Sequence, residues 1–323
     1  MAHVGLAEVC FERDETVAAT EHVTIGIELC RRLAYAPALV AGLLTLARIR
    51  QADGDPRGAL AAVDQAEAAM PESVIDLRNP LPALRARLAL AGGHLAEADR
   101  WVRDRGLAVD DEPVYLREPD YRLFARVLVA QQNPGPALVL LERWRRLAVA
   151  QGRAASVLRL RVLAALAHAA AGEQPAALAA LAEALVLAAP ERYLRVFLDE
   201  GAPLAALLRE LVLGRRIESL GVDSVPRVFL ARVTEAFEGR GVPVLPPVRR
   251  GAVAAPGMLQ PLSTREHEVL NLLAAGRSNR AIAEELFITV DTVKRHISHV
   301  FDKIGVTSRT QAVGRARELG LLG

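Results

Sequence analysis

Small apolar residues recur along the first two thirds of the chain with a period of 39 or 40 residues. One frame places an alanine at the same position of five segments: Ala7, Ala47, Ala86, Ala125 and Ala165. A second alanine follows each of these after twelve residues: Ala19, Ala59, Ala98, Ala137 and Ala177. A fixed period of this length is typical of a stacked array of supersecondary units.

Residues that favour turns separate the paired alanines in four of the five segments. They are Gly54-Asp55, Gly93, Asn133-Pro134 and Gly172-Glu173. Because glycine, asparagine and proline interrupt helices, each unit is predicted to be two antiparallel helices joined at this point. The alanines would let the two helices approach closely where they cross. The pattern therefore predicts an all-α array of helical hairpins.

This array resembles tetratricopeptide repeats, which carry small residues at comparable positions of a hairpin. The period is longer than the usual 34 residues, and the Trp and Tyr signature is missing. A third small position is kept at Gly26, Ala66 and Ala184 but is replaced by Arg105 and Trp144. The resemblance implies a superhelix with a concave groove. We interpret Trp101 and Trp144 as packing residues.

A change in composition marks the end of the array. Two or three more helices are predicted up to residue 238, and five prolines then fall between Gly239 and Pro261. Proline-rich segments without a hydrophobic period are extended linkers. We therefore predict a repeat domain over residues 1–238, a linker over 239–261 and a second domain over 262–323.

Four short helices are predicted in the second domain. Residues suited to helix N-caps begin them: Ser263, Ser278, Thr289 and Ser308. Glu266 and Gln311 stand three residues after the first and last of these, which predicts two capping boxes. Gly276 and Gly305 are expected to end the first and third helices.

The third of these helices has two distinct faces. Its apolar stripe is Val293, Ile297, Val300 and Ile304, and the opposite face presents Asp291, Lys294, Arg295 and Ser298. With the helix before it, it has the proportions of a helix-turn-helix, in which long cationic side chains reach base edges in the major groove. A solvated charged face on an ordinary helical domain explains the spacing equally well.

The same segment resembles the DNA-binding domain of LuxR-type transcription regulators over about 55 residues. The resemblance is carried by Arg265-Glu266, Glu268-Val269-Leu270, Gly276, Ser278-Asn279, Ile282-Ala283, Leu286, Thr292-Val293-Lys294, His296, Lys303, Arg309 and Ala312-Val313. It implies that the third helix enters the major groove of double-stranded DNA and that the fourth helps to form a homodimer.

The resemblance also assigns individual contacts. Lys294, Arg295 and Ser298 would face the bases, although several relatives have a longer lysine in place of Ser298. Six residues would lie near phosphates, which fix the register without reading sequence: Ser278, Asn279, Arg280, Thr289, Thr292 and Arg309. The expected function is sequence-specific regulation of transcription, with an effector or protein partner bound by the repeat domain.

A repeat array joined to this domain resembles the C-terminal part of the large ATP-dependent LuxR-type regulators. Those carry a nucleotide-binding module ahead of the repeats. The chain contains no G-x-x-x-x-G-K-[ST] motif and no Gly-Lys pair at all, so no nucleotide or other cofactor is predicted. We interpret it as a shortened regulator or as a piece of a longer product.

Other chemistries find little support in the sequence. Cys10 and Cys30 are too few for a disulfide framework or a zinc site, and we expect both to be buried thiols in a reducing compartment. No signal peptide or membrane span is predicted, which favours the cytoplasm. His296 and His299 lack a third metal ligand, and the other histidines we considered, His3, His22, His94 and His168, are expected in separate repeats. Neither catalysis nor a metal site is predicted.

One alternative function stays open at this point. The repeat array would then be a protein-interaction scaffold, and the C-terminal domain would serve only for dimerisation. Net charge does not decide between the two functions, because residues 259–323 hold nine Lys and Arg against seven Asp and Glu. Salt dependence distinguishes the two functions, because DNA binding weakens steeply as the salt concentration rises whereas peptide binding in an apolar groove does not.

Overall fold

The computed structural model describes residues 1–70, 80–213, 226–244, 262–286 and 288–322. Every element assigned in these ranges is helical, as predicted. The chain divides into two compact units, Met1–Glu200 and Gly201–Gly323. No helix in the described part of the chain is both long and apolar enough to cross a bilayer.

Ten helices of the first unit pair into five consecutive hairpins. They are α1 (Ala2–Glu12) with α2 (Thr16–Arg32), α3 (Ala36–Ala52) with α4 (Pro56–Ala68), α5 (Leu81–Ala91) with α6 (Leu95–Asp104), α7 (Glu118–Ala130) with α8 (Pro134–Ala150), and α9 (Ala154–Ala170) with α10 (Gln174–Ala188). A short 3-10 helix, Tyr115–Arg117, precedes α7, and α11 (Arg195–Leu198) follows the last hairpin. The predicted array is confirmed.

The paired alanines lie where the two helices of each hairpin pack together. All ten are buried, with relative exposures between 0% and 3%. The third small position is also at a close helix contact in the first hairpin, because a Cβ on Gly26 would lie 2.9 Å from Cγ2 of Val4. Where this position is Trp144, the indole is buried against Tyr121, with ring centroids 4.9 Å apart. Close helix contact therefore explains the alanine period.

The turn of each hairpin has one residue in the left-handed region, seven residues after the first alanine. Its φ is +77° at Gly54, +83° at Gly93 and +77° at Gly172. The other two hairpins place Asp14 and Gln132 there, with φ of 64° and 58°. For a residue with a Cβ, the left-handed conformation is less stable than the right-handed one by about 1–2 kcal/mol. The packing of the two helices therefore imposes the turn even without glycine.

The segment after the hairpins packs back onto the first one. The backbone N of Leu194 donates a hydrogen bond to the carbonyl of Glu12 at 2.8 Å. Arg195 is buried and pairs with Asp14 and Asp199. Cys30 is a buried free thiol as expected, whereas Cys10 is only half-buried.

The second unit contains six helices in its described residues. They are α12 (Gly201–Leu213), α13 (Arg227–Glu238), α14 (Thr264–Ala274), α15 (Asn279–Leu286), α16 (Val290–Ile304) and α17 (Arg309–Glu318). Residues 245–261 of the predicted linker lie outside the described residues. Two apolar clusters hold α14, α15, α16 and α17 together, and all members of these clusters lie between Leu262 and Leu322. The boundaries predicted for the second domain remain a prediction.

Candidate nucleic-acid interface

Side-chain caps fix the starts of the helices that form the candidate interface. Ser263 begins α14 with the predicted capping box, in which its hydroxyl accepts from the backbone N of Glu266 and the Glu266 carboxylate accepts from the backbone N of Ser263. Thr289 caps α16 by accepting from the backbone N of Thr292 at 3.2 Å. Gly305 ends α16 with a φ of 74°. These predictions are confirmed.

The second predicted capping box forms only in half. Ser308 Oγ accepts from the backbone N of Gln311 at 3.3 Å, as predicted. The Gln311 side chain instead accepts from the backbone N of Thr307, at 3.0 Å, and not from that of Ser308. It also accepts from the Thr307 hydroxyl, and this second donor explains why the amide turns toward Thr307.

The apolar stripe holds α16 against the rest of the domain. Val293, Val300 and Ile304 are buried, whereas Ile297 is half-buried. Val293 packs with residues of α14 and α15, and Val300 and Ile304 pack with residues of α14 and α17. The two-faced pattern of the third helix is therefore confirmed.

A buried ion pair joins α14 to α16, and sequence reasoning missed it. Lys303 Nζ lies 2.7 Å from Glu266 Oε2, and the glutamate is 4% exposed. Burial would raise the pKa of Glu266, but hydrogen bonds from Lys303 and Ser263 outweigh it and hold that pKa below its usual value. Glu266 thus caps α14 and fixes α16 with one carboxylate. Only the position of Lys303 on the buried side of α16 could have indicated this.

The opposite face of α16 is exposed, as predicted. Lys294 Nζ lies 3.0 Å from Asp291 Oδ1, but both side chains are largely in solvent, so the pair is weak. Arg295 and Ser298 are exposed, with no hydrogen-bond or ion-pair partner among the described residues. Burial lowers the pKa of His296, and Arg265 and Arg295 lower it further, so this histidine is neutral at pH 7. The positive charge of this face comes from Lys294 and Arg295.

The start of α15 presents a second group of predicted contacts. Ser278 is exposed and accepts from the backbone N of Ala281 at 3.2 Å. Asn279, the first residue of α15, is half-buried. Arg280 is 84% exposed and lies 3.4 Å from Glu284, one turn further along α15. Ser278 thus starts α15 while remaining open to solvent.

Thr289 and Thr292 already have a partner, which the sequence did not indicate. The backbone N of Thr289 donates to Glu235 Oε1 at 2.8 Å, and the Thr292 hydroxyl donates to the same oxygen at 2.7 Å. Glu235 belongs to α13. A carboxylate therefore lies at the N-terminus of α16, where the helix dipole favours negative charge.

Arg309 has a structural function in the fold. Its Nη2 donates to the carbonyl of Leu273 at 3.1 Å and to that of Arg277 at 2.6 Å. These carbonyls lie at and just beyond the C-terminal end of α14, where backbone acceptors lack their usual helical donors. The carbonyl of Leu273 also accepts from the backbone N of Gly276 at 3.1 Å. A phosphate contact by the same guanidinium remains a prediction.

The histidines give no metal site in the described part of the chain, where no suitable group of three His, Cys, Asp or Glu residues occurs. One expectation about them was wrong. His3 and His22 belong to the same hairpin, with their Nδ1 atoms 3.1 Å apart. They meet because α1 and α2 pack together as one hairpin, which is the pairing that the repeat frame itself predicts.

Comparison with known families covers both halves of the chain. A family model described as "MalT-like TPR region" matches residues 1–213. A second, described as "Bacterial regulatory proteins, luxR family", matches residues 260–316. The chain belongs to the MalT-like TPR family and carries a LuxR-family regulatory domain. The LuxR family consists of DNA-binding transcriptional regulators. The two matches confirm the predicted resemblance and the predicted fold class.

Individual relatives of this LuxR-family protein are also regulators. The HTH-type transcriptional regulator MalT of Klebsiella pneumoniae (strain 342) is 32% identical over 46% of this chain and 17% of its own length. MalT of Cronobacter sakazakii is 28% identical over 70% of this chain and 26% of its own. The probable transcriptional regulatory protein NarL of Mycobacterium tuberculosis (strain ATCC 25618 / H37Rv) is 39% identical over 31% of this chain and 48% of its own length. Each match spans less than half of the relative.

The position of Arg309 predicts two separable effects in the LuxR-family domain. Arg309→Ala leaves the carbonyl of Arg277 without this donor, whereas the carbonyl of Leu273 still accepts from the backbone N of Gly276. The expected cost is about 0.5–1.5 kcal/mol in the free energy of unfolding. If the guanidinium also contacts a phosphate, the slope of log K against log salt falls by about one. Urea denaturation of residues 259–323 and salt titrations on DNA measure the two effects. Wild-type stability would contradict the structural function.

Proposed function

We propose that the protein regulates transcription by binding specific double-stranded DNA with α16 in the major groove. The observation that carries this proposal is the exposed face of Lys294, Arg295 and Ser298 on a helix-turn-helix of the LuxR family. Arg295 has no competing partner among the described residues, and arginine reads guanine through O6 and N7. We also propose the cytoplasm as the compartment, because the proposed partner is DNA.

Phosphate contacts are proposed to fix the register of α16 on the duplex. Ser278, Asn279 and Arg280 lie at the start of α15, and Thr289 and Thr292 lie at the start of α16. Helix N-termini bind phosphate through backbone N–H groups and the helix dipole. Arg309 would add a contact with whichever of its donors α14 does not use.

Binding is proposed to require a homodimer. Two domains bind a paired site far better than one binds a single site, provided that the geometry lets both engage. We expect half-sites about one helical turn apart, or a multiple of it. Gel-shift titration on duplexes with one and with two half-sites measures this dependence. Equal affinity for the two duplexes would contradict the dimer.

The repeat region is proposed to sense an effector and to control this binding. Hairpins in an array contact mainly their neighbours, so a ligand bound between two of them changes their relative position. A preference of about 1–3 kcal/mol for the competent arrangement changes DNA occupancy about 5- to 150-fold. The sensing claim is tested by comparing the full chain with residues 259–323 on one operator, with and without cell extract. Equal affinity and equal dimer dependence in all four cases would contradict it and favour the scaffold alternative.

A further inference from the structure

Three arginine side chains line one cavity of the first unit. The cavity has a volume of about 330 Å³ and is formed mainly by α5 and α7. Arg87 belongs to α5, while Arg122 and Arg126 lie one turn apart on α7. Its apolar walls include Leu84, Leu116 and Leu123. A pocket of this size, with few polar groups between apolar walls, is typical of a small-molecule site.

The repeat itself places arginines along this face. Arg48, Arg87 and Arg126 each directly follow the first alanine of their hairpin and are 39 residues apart. Equivalent positions of stacked repeats line the same face of an array. All three are matched by carboxylates: Arg48 by Glu12 at 2.7 Å, Arg87 by Asp199 at 3.2 Å, and Arg126 Nε by Glu200 Oε1 at 3.1 Å.

Arg122 is not matched in this way. Its buried Nε has no hydrogen-bond partner among the described residues, and its ion pair with Glu118 spans 3.7 Å. Glu118 is itself bound by Arg153. Asp120 also lines the cavity, but it forms an ion pair with Arg105 at 3.5 Å. The cavity therefore holds a guanidinium that lacks a close carboxylate of its own.

The electrostatic surroundings of Arg122 agree with this geometry. Burial lowers the pKa of Arg122, as does the guanidinium of Arg159, and Glu118 offsets this only in part, leaving a pKa of about 9. Arg126 and Arg87 act in the same direction as Arg159. The side chain stays charged at neutral pH, so a negative ligand beside it would be stabilised.

We propose that this cavity binds a small multivalent anion, a phosphorylated or polycarboxylate metabolite, through Arg122 with Arg87 and Arg126. The planar guanidinium forms paired hydrogen bonds with phosphate and carboxylate oxygens alike. Since α5 and α7 belong to successive hairpins, such a ligand would tie two repeats together. The inference rests on the proposed sensing function and names the chemical class of the effector.

Calorimetric titration of the full chain with pyrophosphate and with citrate, at constant ionic strength, tests the site. At least one of the two is expected to bind at a single site, and the preferred one distinguishes a phosphorylated from a polycarboxylate effector. Arg122→Gln should weaken that binding about tenfold or more, because it removes a charge-assisted hydrogen bond. Arg146→Gln is the matched control, since Arg146 is 75% exposed and lies outside the cavity.

A second variant keeps the test decisive if Arg122→Gln does not fold. Ala83→Leu narrows the cavity without changing its charge, and it should also weaken binding. Failure of both anions to bind at about 10 mM, or wild-type binding by the Arg122→Gln protein, would overturn the site. DNA binding is measured on the same preparation, so loss of the anion site alone leaves the proposed function standing.

A second inference comes from Glu235 at the start of α16. Its Oε1 accepts from the backbone N of Thr289 and from the Thr292 hydroxyl, two groups proposed to contact DNA phosphates. A carboxylate oxygen and a phosphate oxygen are equivalent acceptors at this helix end. The geometry points to Glu235 as a phosphate mimic that keeps these donors from DNA. This inference rests on the proposed DNA binding.

Removing the charge of Glu235 tests the masking directly. Glu235→Gln in the full chain is expected to bind DNA about 3- to 30-fold more tightly, because the neutral amide competes less well with phosphate. Glu238→Gln, one turn further along α13, is the matched control and should bind as wild type. Unchanged or weaker binding by Glu235→Gln would overturn the masking alone. Absence of DNA binding by the wild-type, Glu235→Gln and Glu238→Gln proteins alike would overturn the proposed function and the masking with it.

Discussion

Alanine at position 295 is expected to weaken binding to a selected DNA site by about 1–3 kcal/mol and to relax the sequence preference at one base pair. Arg295 is exposed on α16 and forms no hydrogen bond or ion pair within the described residues, so the substitution removes the proposed DNA contact without disturbing the fold. Affinity for the wild-type site, and a repeated selection from random duplexes, measure the two effects.

Comparison with two other cations separates base reading from general electrostatics. Lys294→Ala should act like Arg295→Ala, because its pair with Asp291 is largely exposed and does not hold the side chain. Arg146→Ala is the control: Arg146 is 75% exposed on α8 of the first unit, outside the proposed interface and outside α17. If Arg295→Ala and Lys294→Ala keep the wild-type preference, these residues are not base readers.

Replacing Lys303 with alanine is expected to destabilise residues 259–323 by about 2–3 kcal/mol, because it leaves the buried Glu266 carboxylate without its cation. The side chain of Lys303 is 23% exposed, so the cost is less than for a fully buried pair. In a domain of this size the melting temperature should fall by about 10–20 °C. Thermal unfolding followed by circular dichroism measures it.

The pair of Glu266 and Lys303 also makes the stability of the domain depend on pH. The folded-state pKa of Glu266 lies below its usual value, so its contribution to stability is present above the unfolded pKa of about 4.3 and is lost as the pH falls through the folded pKa. Lys303→Ala should reduce this loss. Lys294→Ala is the matched control, since it breaks an exposed pair and should change stability by about 0.5 kcal/mol or less. Equal melting temperatures for the two lysine variants would contradict the account.

Local sequence rules predicted the helix structure of the candidate interface where a side chain acts on its own helix. Ser263 and Thr289 cap the helices that they were expected to cap, and the face carrying Lys294 and Arg295 is exposed. The same rules failed at Gln311, whose amide prefers the Thr307 donors. Capping residues and a helical period specify which face is buried, but they do not specify competing donors.

Contacts between distant residues were beyond sequence reasoning. Glu235 meets Thr289 across 54 residues of sequence, and no motif relates the two. The turn at Asp14 had no signal in the sequence for a related reason, because glycine marks a left-handed turn and the packing of paired helices imposes it without glycine. Gln132 takes the same conformation beside the turn that was predicted at Asn133-Pro134. The alanine frame was predictable because helix crossing leaves space for only a small side chain at each repeat.

Binding of the full chain to random-sequence duplex DNA over a series of salt concentrations tests whether α16 reads DNA sequence. Selection should enrich one sequence, and log K for it should fall linearly with log salt, with a slope that counts the phosphates contacted. The enriched site should also bind more tightly than unselected DNA at every salt concentration. Absence of an enriched sequence, together with salt-independent behaviour, would contradict DNA reading by α16 and leave the interaction scaffold as the function.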